Sequence, residues 1–189
     1  MEKPTAIDLF AGCGGFSYGF MQESFDILLG VDNWDVALKT FKHNHGHSKI
    51  LNLDLHLDSS IQKIANCLAE QRVDVIIAGP PCQGFSLTGT RDINDKRNSL
   101  FEALFKLTEL LRPKVLVIEN VPGILTLYKG ETKMKILEAA TYQGYKCDIA
   151  TLYAPDYGVP QIRKRTFFIA TQSNRAIPFP ASLLNFDEY

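Results

Sequence analysis

A chain of 189 residues, 46% of them hydrophobic, is long enough to bury a full core and short enough to form one domain, so a single fold is expected. With Lys+Arg 20 against Asp+Glu 21 its formal net charge is −1, which argues against gripping nucleic acid by bulk charge and leaves two local basic patches, Arg91, Lys96 and Arg97, then Arg163, Lys164 and Arg165. No run approaches the ~18 apolar residues of a membrane span, residues 1–6 lack a signal-peptide pattern, and the widely separated Cys13, Cys67, Cys82 and Cys147 fit a reducing compartment, so a soluble cytoplasmic protein with no membrane partner is expected.

In chain order, short β-type apolar runs alternate with longer stretches whose apolar residues recur at helical spacing. Residues 5–10 read as a strand, 16–23 as a helix, 25–31 as a strand, and 34–43 and 60–71 as helices. A strand at 73–78, a helix at 100–111, a strand at 114–118 and a helix at 133–143 continue the alternation. This predicts an α/β fold, a doubly wound and mostly parallel sheet whose ligands gather at the carboxyl ends of its strands. Residues 145–152 and 166–171 are strand-like and joined by a Pro/Gly/Tyr-rich loop without a helix, which predicts an antiparallel hairpin at the sheet edge. Residues 1–173 are thus expected to form the domain, and 174–189, with Pro178 and Pro180 and no periodicity, an exit segment or linker.

The first strand runs into Ala11-Gly12-Cys13-Gly14-Gly15, with a helix pattern from Phe16. Glycines there permit a tight turn and close backbone approach, and a helix N-terminus offers N–H groups to an anion. Asp32, twenty residues past Gly12, ends the second strand, where a carboxylate suits a ribose diol. Gly12-x-Gly14-x-x-Ser17 falls one residue short of the dinucleotide fingerprint, so a nicotinamide dehydrogenase stays open at this point, as does a purely structural turn. Trp34 is open to two readings, a ring stacked on adenine or a core tryptophan opening a helix.

The strand at 73–78 ends in Gly79-Pro80-Pro81-Cys82-Gln83-Gly84-Phe85-Ser86, so two prolines stiffen the backbone before a cysteine at the carboxyl edge of the sheet. The polar, non-periodic stretch 87–99 suits a loop closing over a substrate, and together they suggest a covalent nucleophile rather than a buried small hydrophobe. The strand at 114–118 delivers Glu119 to the same edge, as a proton donor or as a turn-capping residue. Alternation along the last strand puts Arg163 and Arg165 on one face and Lys164 on the other, as a clamp for an oxygen-rich group or as an edge-strand guard.

The ordered set Asp8-Leu-Phe-Ala-Gly-Cys-Gly-Gly-Phe16, Gly79-Pro-Pro-Cys-Gln-Gly-Phe-Ser86, Arg97-Asn-Ser-Leu100, Glu119-Asn-Val121 and Gln161-x-Arg163-x-Arg165 resembles the cytosine-C5 DNA methyltransferases, over nearly the whole chain. The resemblance implies S-adenosyl-L-methionine as cofactor rather than a nicotinamide, and DNA with a flipped cytosine as partner. It implies cofactor contacts at Phe10, Gly12, Gly14, Gly15, Phe16, Asp32, Trp34, Asp54, Leu55, Pro81 and Leu100; the family acid at the Asp32 position is commonly glutamate. It implies Cys82 as nucleophile at cytosine C6, Glu119 at N3 and the exocyclic amine, Arg165 at O2, and Arg163 positioning base and loop. Ser86, Arg91 and Arg97 are carried over as phosphate or loop contacts, and the flipped base follows from C6 being inaccessible in a stacked duplex.

Family members usually continue into a target-recognition domain and a returning Gly-Asn segment whose helix packs beside the first motif, and residues 174–189 resemble neither. The expectation is therefore little activity by the chain alone, an apolar face left exposed, and a second subunit or further sequence supplying target recognition, in a bacterial cytoplasm or nucleoid as part of restriction–modification. Methylation of cytosine in RNA, and a noncatalytic module binding the cofactor or a partner enzyme, are the alternatives. No metal is expected at His43, His45 and His47, Cys67 and Cys147 are read as packing residues, and Cys13 is assigned no chemistry.

Overall fold

The structure is a computed structural model and describes residues 2–69, 71–81, 99–173 and 175–183. Its strands are β1 (Thr5–Leu9), β2 (Asp26–Asp32), β3 (Lys49–Asn52), β4 (Val75–Ala78), β5 (Val115–Asn120), β6 (Lys146–Tyr153) and β7 (Lys164–Thr171). Between them lie helices α1 (Gly15–Gln22), α2 (Asp35–Asn44), α3 (Asp58–Leu68), α4 (Ser99–Leu111) and α5 (Glu131–Tyr142). The strands form one seven-stranded sheet in the order β3-β2-β1-β4-β5-β7-β6. The first five strands pair in parallel, while β7 runs antiparallel to both β5 and β6. The predicted hairpin is present, with β6 at the edge and β7 inserted beside β5.

The core follows from strand composition. All four residues of β4, Val75-Ile76-Ile77-Ala78, are buried, as expected where helices cover both faces of a parallel strand. On one face Ile7, Leu9, Ile76, Leu116 and Ile118 pack with α3, α4 and α5 through Ile64, Leu104 and Ile136. On the other, Ala6, Ile27, Val75, Ile77 and Val117 pack with Phe41 of α2, and the partly buried Phe16, Phe20 and Met21 of α1 join them. This second face carries fewer helices, and Val115, Phe167 and Ile169 on it are only partly buried.

Strand β3 has no counterpart in the sequence reading, because its four residues, Lys-Ile-Leu-Asn, are too few for a resolvable period and none is fully buried. Its pairing with β2 and the Leu53 N–H to Asp32 carbonyl bond of 2.9 Å carry Asp54 and Leu55 to the site. Strand β5 also extends two residues beyond the predicted end, so Glu119 and Asn120 pair with Phe167 and Thr166 of β7 rather than opening a turn. The connection after β6 contains a 3-10 turn, Ala154–Tyr157, where a helix-free loop is predicted from sequence. Residues of the C-terminal segment lie back on that turn: the Leu183 N–H donates to the Asp156 carbonyl at 2.8 Å, and the Tyr157 hydroxyl to the Pro180 carbonyl at 3.0 Å. Among the described residues no helix is long and apolar enough to cross a membrane.

Close packing joins α2 to the sheet at Gly30, where an added Cβ would lie 2.4 Å from the buried Phe41 ring. Gly30→Ala is therefore expected to destabilise the fold by about 2 kcal/mol, and Phe41→Leu to recover part of that loss, as measured by urea denaturation.

Candidate active site

The chain goes outward from β1 through β2 to β3, then returns to lay β4 on the other side of β1. The crossovers diverge between β1 and β4, and an open sheet places its ligand crevice at the carboxyl ends of such a pair. There the Gly79 N–H donates to the Leu9 carbonyl at 3.2 Å, bringing the strand that leads to Cys82 beside the strand that leads to the glycine loop. Two cavities open at this point and share Phe10 and Gly79 as a common wall. Their volumes, about 310 and 530 Å³, fall within the range of small-molecule sites.

The smaller cavity is lined by Phe10, Asp32, Asp54, Leu55, Pro81 and Leu100, all expected cofactor contacts from sequence, and by Asn33, Leu53 and His56, which were not singled out. Asp32 is already engaged: Oδ2 accepts from the Gly12 N–H at 2.8 Å and Oδ1 from the Trp34 N–H at 2.9 Å. One carboxylate thus ties the glycine loop to the start of α2, which has no side-chain cap of its own. Each oxygen has a second lone pair, so the same group can also accept from a ligand hydroxyl. Trp34 is 61% exposed, which removes the core-tryptophan reading, and it does not itself line the cavity.

The glycine loop leaves its backbone open to a ligand. Gly14 adopts φ +86°, closed to most side chains, while at Gly12 and Gly15 an added Cβ would meet nothing within 4 Å, so the loop backbone is open to approach. Gly15 and Phe16 line the larger cavity together with Asp8, Glu119, Arg163 and Arg165. Phe16 is set by edge contacts to Phe20 and Phe167, with centroids 5.8 and 6.0 Å apart.

Glu119 is the centre of the larger cavity. Its Oε1 receives Arg165 Nε at 2.9 Å and Arg163 Nη2 at 3.4 Å, while Oε2 faces Gly79, 3.8 Å from where a Cβ would sit. Strand alternation accounts for the two arginines sharing one face, and Lys164 turns away over the Tyr153 ring, 5.2 Å from its centroid. The side chains of Glu119 and Arg165 are only 22% and 26% exposed, so charges that would be screened on the surface act here at close range. An acid with two guanidinium groups can hold a heterocycle that presents an amine, a ring nitrogen and a carbonyl side by side.

Two further residues shape the site. Asn120, buried beside Glu119, donates from Nδ2 to the Pro80 carbonyl at 2.9 Å and accepts the Val121 N–H, which anchors the backbone two residues before Cys82. Asn120 stands in the Glu119-Asn-Val121 motif, but its partner Pro80 lies forty residues earlier in the chain. Asp8, a charged residue in the middle of a buried strand, is 1% exposed and accepts the Ser17 N–H at 3.3 Å. Burial, reinforced by the nearby Asp32 charge, pushes its carboxyl up to about 7 against the lowering hydrogen bonds from Ser17.

Cys82, Ser86, Arg91 and Arg97 lie outside the described residues. The histidines separate: His43 is exposed, His45 is buried, and His47 pairs with Asp26 at 3.1 Å. Among the described residues no group of three potential ligands could hold a metal. Cys13 is exposed and Cys67 half-buried, whereas burial raises the Cys147 thiol to about 11, as befits a packing residue.

Because Asp8 is more basic in the fold than its ordinary 3.8, the fold favours its neutral form. Its contribution to stability is full below about pH 4 and lost as pH rises through about 7. Asp8→Asn should therefore remove a loss of a few kcal/mol between pH 4 and 8, seen as a widening stability gap over wild type in denaturation curves as pH rises.

Comparison with known proteins places this geometry in context. A family profile described as C-5 cytosine-specific DNA methylase matches residues 5–187. Type II methyltransferase M.DdeI of Desulfomicrobium norvegicum is 43% identical over 175 residues, covering 90% of this chain and 41% of the relative. Type II methyltransferase M1.HphI of Haemophilus parahaemolyticus is 38% identical over 179 residues, covering 93% and 48%. The chain thus spans about half the length of the curated relatives it matches. Among solved structures, one described as a DNA modification methyltransferase encoded within an E. coli prophage superposes with TM-score 0.76 at 34% identity, over 89% of this chain and 47% of that one. A Dnmt2 variant from Spodoptera frugiperda superposes at 0.73 with 25% identity, over 94% and 52%.

Proposed function

The chain belongs to the C-5 cytosine-specific DNA methylase family, and from that premise we propose that it forms the cofactor-binding and nucleophile-bearing part of an enzyme that methylates C5 of cytosine in DNA. The observation that carries the proposal is the convergence of Glu119, Arg163 and Arg165 in a cavity that shares Phe10 and Gly79 with an adenosine-sized cavity.

S-adenosylmethionine supplies an electrophilic methyl group when bound, held by Asp32, Asp54, Leu55, Pro81 and Leu100 in the smaller cavity, with Gly12, Gly15 and Phe16 along the glycine loop. Cytosine C5 is a poor nucleophile in the intact aromatic ring. Addition of the Cys82 thiolate to C6 converts the ring to an enamine with electron density at C5. Glu119 engages N3 and the exocyclic amine and favours that addition, Arg165 holds O2, and Arg163 positions Glu119 and the base. After methyl transfer, loss of the C5 proton lets Cys82 leave. Asn120 keeps Pro80 in place, and so fixes the backbone from which the nucleophile projects. Since stacked cytosine hides C6, the base enters flipped out of the duplex.

Target recognition is assigned to further sequence or a second subunit, in keeping with a net charge of −1 and with the thinly covered sheet face around Phe16, Phe20, Phe167 and Ile169. The homologous Type II methyltransferases support a bacterial restriction–modification role.

Incubation with S-adenosylmethionine and 5-fluorocytosine duplex DNA, together with the protein that completes recognition, should give a denaturation-resistant adduct with wild type and none with Cys82→Ala. Methyl transfer to ordinary DNA should fall by about 10³-fold or more in Cys82→Ala, and by about 10²-fold in Arg165→Ala. An adduct on RNA but not DNA would move the assignment to the other nucleic acid. S-adenosylmethionine binding without transfer to either would make the chain a noncatalytic module.

A further inference from the structure

We propose that His45 is a positioning residue for the cofactor, setting the glycine loop through the Ser17 hydroxyl and through its own ring beneath Gly14. The inference rests on the reading of that loop as an S-adenosylmethionine site.

His45 follows α2 and is completely buried, an uncommon place for an imidazole unless its nitrogens are used. Both are. Nδ1 lies 3.1 Å from the Phe41 carbonyl, which can only accept, so Nδ1 carries the hydrogen. In the neutral ring Nε2 is then an acceptor, and its 3.1 Å contact with Ser17 Oγ is donated by the serine. Burial holds the imidazole pKa below its ordinary value, which favours this neutral tautomer near pH 7. The Ser17 hydroxyl has one proton, and the Gly14 carbonyl at 3.3 Å competes for it. The Asp8 carboxyl, to which the Ser17 hydroxyl also hydrogen-bonds, is a further competitor, and we assign the proton to the neutral His45, at the shorter 3.1 Å contact.

Ser17 is the third residue of α1 and is held from two sides, by Asp8 through its N–H and hydroxyl and by His45 at its hydroxyl. Fixing Ser17 fixes the first turn of α1, and so the aim of the Gly15 and Phe16 backbone into the larger cavity. The ring also acts by contact. It stacks on Phe41 with centroids 4.0 Å apart and planes 8° from parallel, and an added Cβ on Gly14 would fall 2.4 Å from His45 Cε1. The loop therefore rests directly on the imidazole, and moving the ring moves the loop. A phenylalanine could serve the stack equally well, but of these two rings only the histidine can take the Ser17 proton while donating to Phe41.

The test is calorimetric titration of the whole chain with S-adenosylmethionine and with S-adenosylhomocysteine, beside thermal melts. His45→Phe keeps the stacked ring and deletes the bond to Ser17; Ser17→Ala deletes it from the other end. Each should weaken binding about tenfold, at temperatures well below its melting point. The double variant should lose no more than either single one, because both remove the same link. His45→Gln, whose amide can still accept from Ser17 but which lacks the ring beneath Gly14, should recover part of the affinity relative to a variant with neither, such as His45→Ala. Variants that melt earlier yet bind within twofold of wild type would overturn the inference and leave His45 a packing residue, and additive losses in the double variant would overturn the shared link. Should His45→Phe fail to fold, Ser17→Ala and His45→Gln decide the question on the same affinity scale. Failure of the wild-type chain to bind either compound would instead overturn the reading of the loop as the cofactor site.

Discussion

The parallel pairing of β1 with β4 is the constraint on which the rest of the molecule depends. One edge of β1 is already paired with β2, so the strand that begins the second half lies against its other edge. The glycine loop and the Pro80-Pro81 segment then leave the sheet as neighbours, joined by the bond between Gly79 and Leu9. Phe10 and Gly79 become a common wall, and the two cavities can adjoin only because these strand ends do. A sheet wound in one direction would have separated the parts that the chemistry needs together.

Around that junction, identical functional groups do different work because their surroundings differ. Asp32 stands at a strand end with two backbone N–H donors and serves as a brace. Asp8, two residues before Phe10, sits inside the sheet with one weak backbone donor, and desolvation dominates its behaviour. Glu119 is half-buried and is matched by two guanidinium groups. The Asp32 charge also raises the cost of ionising Asp8, which links the loop brace to the buried strand. The second layer under the loop is formed by α2, whose Phe41 and His45 fill the space that Gly14 and Gly30 leave.

Much of this was legible in the chain itself, for reasons that can be traced. Buried parallel strands such as Val75-Ile76-Ile77-Ala78 announce themselves because both faces must be apolar. Asp32 and Glu119 stand out in the sequence because each marks a strand end with a sudden charge, whereas Phe10, Pro81 and Leu100 were reached only through the family resemblance. Strand β3 was not legible, since a four-residue edge strand buries too little to impose a period. Nor was the fate of Trp34, where the same indole fits a core or a rim and only the direction of α2 decides. The contacts of Asn120 and His45 were not legible for a further reason: each acts on the backbone or hydroxyl of a residue distant in sequence.

The sequence by itself determined the alternation of strands and helices, the strand ends at which reactive and acidic residues emerge, and the family. These are local properties, set by side-chain period and by the conformational limits of glycine and proline over a few residues. Tertiary structure alone decided that two arginines would share one oxygen of Glu119, that Asp32 would brace Gly12 and Trp34, and that His45 would lie under Gly14 against Ser17. Each of those contacts joins segments separated by loops and crossovers. Their distances are fixed by sheet order and helix packing, quantities that emerge only when the whole core closes.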